Sequence, residues 1–115
     1  MLSRENRISK GDFPTLLKKS RYFVVDGTTI KHSDIEKGPK FSIIVSAKVS
    51  KKAVQRNLIR RIFIEKIKKA DLAANIGKKA LFIYVSKDLG SMSKSKLNQK
   101  AEDLVNKICL FFQKS

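Results

Sequence analysis

A single-domain α+β sandwich spanning residues 1–115, with elements in the order α-β-β-β-α-β-α, is what this sequence predicts. Three observations predict it. First, Ile59, Ile62, Phe63, Ile67 and Ala70 recur at the i, i+3, i+4 spacing of a helix with one buried face. Second, Phe41 to Lys48 alternates, Phe41, Ile43 and Val45 against Ser42, Ile44 and Ser46, whereas Ala80 to Val85 is apolar without a break. The alternating run suits a strand with two different faces, the unbroken one a strand inside a sheet. Third, 115 residues that are 42% hydrophobic are enough for one modest core and too few for two.

The elements follow in order. Asp12 is placed to cap a short first helix, Pro14 suits its first turn, and Phe13, Leu16 and Leu17 share a face before Lys18, Lys19 and Arg21. Tyr22 to Val25 and Thr28 to His32 are rich in β-formers and flank Asp26-Gly27, which predicts a hairpin. Ser33 to Lys40, with Gly38-Pro39, is expected as a loop before the alternating strand. A long helix is expected from about Lys51 to Ala74, capped by Ser50 and stopped near Asn75-Ile76-Gly77. Lys79 to Ser86 is the inner strand, and Asp88 to Ser93 a loop. The last helix spans roughly Ser95 to Gln113, with Leu97, Ala101, Leu104, Val105, Ile108 and Phe112 as its buried stripe. Helices then cover one sheet, and the long helix is a crossover between two strands, right-handed by default.

Charge points to the class of partner. The chain carries 26 Lys and Arg against 10 Asp and Glu, a net charge of +16. Such an excess repels itself unless an anion neutralises it. Between Lys48 and Lys69 stand nine basic residues and one acid. At 100° per residue, Arg56, Asn57, Arg60, Arg61 and Lys68 fall mainly outside the apolar arc, so the charge is sorted onto one ridge. A plain solvated face needs only lysine. Arginine adds a planar fork that binds phosphate oxygens in pairs and stacks on bases. The free N–H groups at the helix start, beside Lys51 and Lys52, would add a phosphate site.

Other classes fare worse. His32 is the one histidine and is expected to be an ordinary surface side chain; nothing local pairs it with Cys109 as a nucleophile dyad. The carboxylates form no cluster at metal-site spacing, Glu102-Asp103 being a solvated face beside Lys100 and Lys107, and no glycine loop cradles a phosphate. No catalytic residue, no metal ligand and no small-molecule substrate are expected. A single cysteine suggests a reducing, cytoplasmic setting. Residues 1–7 lack the apolar core of roughly 7–15 residues that a signal peptide needs, and no run approaches a membrane span. A peripheral membrane role suits the sequence poorly, because the basic helix commits its apolar face to a core and the chain has no Trp.

The same residues carry a family resemblance. Lys51-Lys52-Ala53-Val54-Gln55-Arg56-Asn57-Leu58-Ile59-Arg60-Arg61 resembles the signature helix of the bacterial ribonuclease P protein subunit, roughly K-A-V-x-R-N-R-[IL]-[KR]-R. Val45-Ser46-Ala47-Lys48-Val49 resembles the family's V-S-K-K-V run, and Arg7 to Phe13 its R-L-x-K-x-x-D-F. Length and element order agree over nearly the whole chain.

The resemblance implies a left-handed βαβ crossover, unlike the default. It implies that the chemistry belongs to a catalytic RNA subunit with its own Mg²⁺, and that the protein binds this RNA and the single-stranded 5′ leader of precursor tRNA. Lys48, Lys51, Lys52, Arg56, Asn57, Arg60, Arg61 and Lys68 would then face RNA, with Phe13, Leu17 and Ser46 bordering a leader groove. The chain departs from the pattern at Leu58 and Ile64, where basic residues are usual, at Ala47, often lysine, and at Leu17, where a second ring is expected. A ribosomal or other structural RNA-binding protein without a part in cleavage needs the same cationic face, and stays open on composition alone.

Overall fold

Six consecutive apolar residues cannot alternate between core and water, and the chain resolves this by placing them on the innermost strand. In the computed structural model, which describes residues 6–113 except the Ala73 side chain, the order is α1 (Phe13–Lys18), β1 (Arg21–Val25), β2 (Thr28–Asp34), β3 (Lys40–Ile44), α2 (Ala53–Lys69), α3 (Leu72–Ile76), β4 (Lys79–Tyr84), a 3-10 turn (Lys87–Ser91) and α4 (Lys94–Gln113). The outermost residues of the expected 1–115 domain lie outside the described part. The four strands form one sheet in the order β1-β2-β4-β3. Neighbours β1/β2 and β2/β4 are antiparallel, while β3 and β4 are parallel and joined through α2, the expected crossover.

Register sorts the side chains. Phe23 pairs with Ile30, Ile30 with Ile83, and Ile43 with Ile83. These residues face α2 and α4, whose Ile59, Ile62, Phe63, Ile67, Leu97, Ala101, Leu104, Val105, Ile108 and Phe112 complete one core. Both helical stripes are the expected ones, except that Ala70 is only half-buried. The opposite face carries Tyr22, Lys31, Phe82 and Ser42 in one cross-strand row, and Val24, Thr29, Tyr84 and Ile44 in the next. Among the described residues, α1 packs over it, against β2.

Asp26 and Gly27 both take positive φ, 48° and 80°, the geometry a two-residue hairpin needs. The hairpin is pinned from α4: the Asp26 carboxylate accepts from Lys107 and lies 3.8 Å from Lys100. Lys100 and Lys107 thus turn to the hairpin, with Lys107 also feeling the charge of Asp103 beside it. Glu102 instead reaches α2, at 3.9 Å from Lys66 and 3.8 Å from Lys69.

Several boundaries differ from expectation. The long helix is two helices, broken at Asp71, which takes the left-handed conformation (φ 51°, ψ 47°) that aspartate tolerates. The break lets Leu72 and Ile76 turn into the core beside α4. Ser50 does not cap α2. Lys52 holds the cap position, and the Ser50 hydroxyl accepts from the Lys52 N–H at 3.2 Å. Asp12 makes no capping bond either; its carboxylate accepts from the Ser9 hydroxyl at 2.9 Å. β2 runs on through Ser33 and Asp34 because β4 offers Ala80 and Lys79 as partners, whereas β3 ends at Ile44, where that pairing stops. The expected 88–93 loop is largely the 3-10 turn, with Leu89 fully buried.

Candidate nucleic-acid interface

The ridge forms because α2 spends its apolar side on the core and has only cations left for the other. Arg56, Asn57, Arg60 and Arg61 lie three and four residues apart, so they are neighbours on one surface of the helix. Asn57 and Arg61 are exposed, Arg56 and Arg60 half-exposed. The Arg60 guanidinium donates to the Asn57 side-chain oxygen at 2.7 Å, which fixes the direction of its fork. Arg56 reaches back and donates to the Ser50 carbonyl at 2.9 Å, tying the helix to the segment before it. Among the described residues, none of the ion pairs uses Arg56, Arg60 or Arg61; every one is made by lysine. Three guanidinium groups are therefore held on a rigid helix without an internal carboxylate to neutralise them. Lys68, exposed, continues the stripe two turns on from Arg61.

Leu58 and Ile64, the two departures from the basic pattern, are half-buried and pack against the core. The ridge is narrower for it, and the arginines stand at its centre.

At its start α2 meets the 3-10 turn. Ser50, Lys51, Lys52 and Gln55 face Gly90 and Ser91 across an open cavity of about 420 Å³. Gly90 is required here: a Cβ on it would lie 1.7 Å from the Val49 carbonyl oxygen. Lys48, Lys51 and Lys52 are all exposed along this approach.

The expected groove residues do not all meet at one place. Phe13 is half-buried and packs edge-on against Phe82, with ring centres 5.0 Å apart, so α1 is moored to the open sheet face. Leu17 is half-buried on α1. Ser46 is exposed in the turn beyond β3, not on the strand itself. Across the same open face lie Ser42 and Ile44, the second face of the alternating strand, together with Lys31, Tyr84 and Tyr22, which sequence reasoning missed. The Lys31 ammonium sits 5.1 Å above the Tyr84 ring, Ser42 and Ile44 are half-buried, and Tyr22 is 71% exposed. Partial burial raises the Tyr84 phenol above its ordinary pKa, so it stays a hydrogen-bond donor near neutrality. A tyrosine inside an otherwise apolar strand was the available signal, since its hydroxyl seeks water. Lys31 and Tyr22 join it only through strand register, which spacing along the chain does not reveal.

His32 is not an ordinary surface side chain. It is half-buried against Phe23, Phe111 and Phe112, with centroid distances of 5.8, 6.3 and 5.3 Å. Among the described residues no group of three or more His, Cys, Asp or Glu side chains could hold a metal ion, and no helix is long and apolar enough to cross a membrane.

A four-stranded sheet, helices packed on one face and a cationic helix in the crossover define a small basic α+β domain of the ribonuclease P protein type. The family model for ribonuclease P matches residues 2–109, and the chain belongs to that family. Two solved structures of the RNase P protein from Staphylococcus aureus are similar. One shares 23% identity at TM-score 0.72, covering 90% of this chain and 94% of its own; the other shares 25% at 0.69, covering 95% and 92%. The RNase P protein from Thermotoga maritima, 18% identical, matches at 0.68 over 88% of this chain and 96% of its own. No curated protein matches.

Proposed function

We propose that this chain is the protein subunit of ribonuclease P, acting in the cytoplasm to promote 5′ maturation of tRNA. The α2 ridge, with Lys48, Lys51, Lys52, Arg56, Asn57, Arg60, Arg61 and Lys68, binds phosphates of the catalytic RNA. The open sheet face beneath α1, bordered by Phe13, Leu17 and Ser46 and floored by Tyr84, Lys31 and Ser42, receives the single-stranded leader of precursor tRNA. Contacts there are backbone charge and stacking, so the leader is bound with little base readout.

Cleavage is left to the RNA. The chain has no carboxylate cluster among its described residues, and the Mg²⁺ that the reaction needs is held by the RNA subunit. The protein contributes position and charge: neutralised phosphates let substrate and catalytic RNA approach, which lowers the metal concentration required. The observation that carries this reading is the set of three arginines on one helix face with no internal carboxylate partner.

Reconstitution tests it. The purified chain, mixed with the catalytic RNA at low Mg²⁺, should restore 5′ processing of precursor tRNA. If it binds the RNA but leaves processing unchanged across the Mg²⁺ range, it is a structural RNA-binding protein and the proposal fails.

A further inference from the structure

The two edges of the sheet differ. At β3 the outer edge is occupied: Arg7 bridges to Phe41 in parallel, and the Asn6 side-chain amide donates to the Pro39 carbonyl at 2.8 Å. β1 forms the other edge, and among the described residues no strand or loop pairs with its outer side. Next to the Asp26-Gly27 turn, Val25 and Thr28 exchange backbone hydrogen bonds, and bonded pairs alternate along the ladder from there. Phe23 and Arg21 thus turn their backbone groups inward to β2, whereas the N–H and C=O of Tyr22 and Val24 point outward. Proteins usually protect such an edge with charge, proline or a bulge. From Tyr22 to Val25 the strand has none of these, and its register against β2 is unbroken. Apolar groups flank the edge on both sides. Tyr22 and Val24, 71% and 57% exposed, lie on the open face, and Phe23, with Phe111 stacked on it at 3.7 Å, lies on the helical face.

We propose that β1 is the docking edge for a second copy of this chain, the two β1 strands pairing antiparallel about a two-fold axis midway between their Phe23 residues. The register follows from the outward groups. Tyr22 exchanges two hydrogen bonds with the partner's Val24, Val24 does the same with the partner's Tyr22, and the two Phe23 residues face each other at the closer, non-bonded spacing. Facing residues share a side of the sheet. Phe23 and Phe111 of both copies therefore gather on the helical face, while Tyr22 packs against the partner's Val24 on the open one.

Charge fits the same symmetry. Lys107 and Lys100 both contact Oδ2 of Asp26, and no described partner takes its Oδ1. Arg21 shares the helical face with Phe23 and Val25. In the paired register it lies across from the partner's Val25, one residue from the partner's Asp26, so each guanidinium gains a carboxylate oxygen to donate to. An extended acidic peptide would suit Arg21 but would meet Asp26 at the other end of the strand; a copy of β1 suits both ends. Two four-stranded sheets become one, and their open faces adjoin. The inference does not rest on the proposed role in tRNA maturation.

Sedimentation equilibrium of the full chain, from about 10 to 500 µM in low and in high salt, tests it. The weight-average mass should climb from 13.0 kDa toward twice that value. It should climb further at high salt, because screening weakens the long-range repulsion between two chains that each carry +16. Hydrogen exchange on the same samples should slow with concentration at the Tyr22 and Val24 amides, those of Phe23 and Val25 being protected already by β2. Val24→Lys, at an exposed position, should weaken association by about tenfold or more at an unchanged melting temperature, and Val24→Thr should retain it. Hydrogen exchange needs no variant and decides alone if the lysine disturbs the strand. A monomer at every concentration and salt, a dimer undiminished in a folded Val24→Lys, or a dimer whose Tyr22 and Val24 amides exchange as fast as in dilute samples would overturn the proposal. So would a monomer that protects those amides only when single-stranded RNA or poly-glutamate is added, since the edge would then belong to that partner.

Discussion

Arg56 and Arg60 sit four residues apart on the same helix and do different work. Arg60 is aimed by Asn57 and has its remaining donors free for a phosphate, whereas Arg56 spends one donor on the Ser50 carbonyl. Arg60→Ala should therefore weaken binding to the catalytic RNA by about 1–3 kcal/mol, the worth of a charge-assisted bond, with the melting temperature unchanged. Filter binding and calorimetry on the same preparation check both halves; a sharp fall in melting would make Arg60 structural. The spacing of Arg56, Asn57, Arg60 and Arg61 was legible from helical periodicity alone. The Asn57–Arg60 and Arg56–Ser50 bonds were not, because they depend on rotamers and on the path of the chain before the helix.

At the scale of elements, the long periodic segments were the legible ones. The stripes of α2 and α4 and the apolar run of β4 each repeat one signal many times. What escaped depends on tertiary partners. The break at Asp71 exists because Leu72 and Ile76 have a place to go beside α4, and the length of β2 is set by β4, far away in sequence. The 3-10 turn is another such case, since Gly90 matters only through the Val49 backbone it touches. Gly90→Ala must push that backbone aside, and should cost about 1–3 kcal/mol in urea unfolding while weakening RNA binding through a displaced helix start. Unchanged stability would mean that the two segments separate easily. The hairpin clamp has a pH signature. A hydrogen bond from Lys107, then the charges of Lys107 and Lys100, hold the Asp26 carboxyl below its ordinary value near 3.8. The unfolded chain thus binds more protons than the native one in that range, so the clamp stabilises above about pH 4 and is lost as pH falls below it. Asp26→Asn should flatten that acid-side segment of a melting-temperature profile; an identical profile would show that the clamp contributes nothing.

Across the whole molecule, two opposed tendencies meet in α2. Its buried side, fully enclosed at Ile59 and nearly so at Phe63, carries the fold, and Phe63→Ala should destabilise it by about 3–5 kcal/mol in denaturant unfolding. A loss under 1 kcal/mol would contradict the packing described. Its outer side carries the charge. If about 6–10 phosphates are neutralised, RNA affinity should fall roughly 10³–10⁵-fold between about 50 and 200 mM salt, and a flat response would contradict an electrostatic interface.

That uncompensated charge has a consequence for supply inside a cell. A chain whose cations repel one another, with few acids to offset them, opens more often when its polyanion is missing. Proteases act on opened chains, so surplus copies would be cleared while assembled ones persist. The arginine ridge would in this way also keep the amount of subunit matched to the amount of its RNA, with no dedicated regulator.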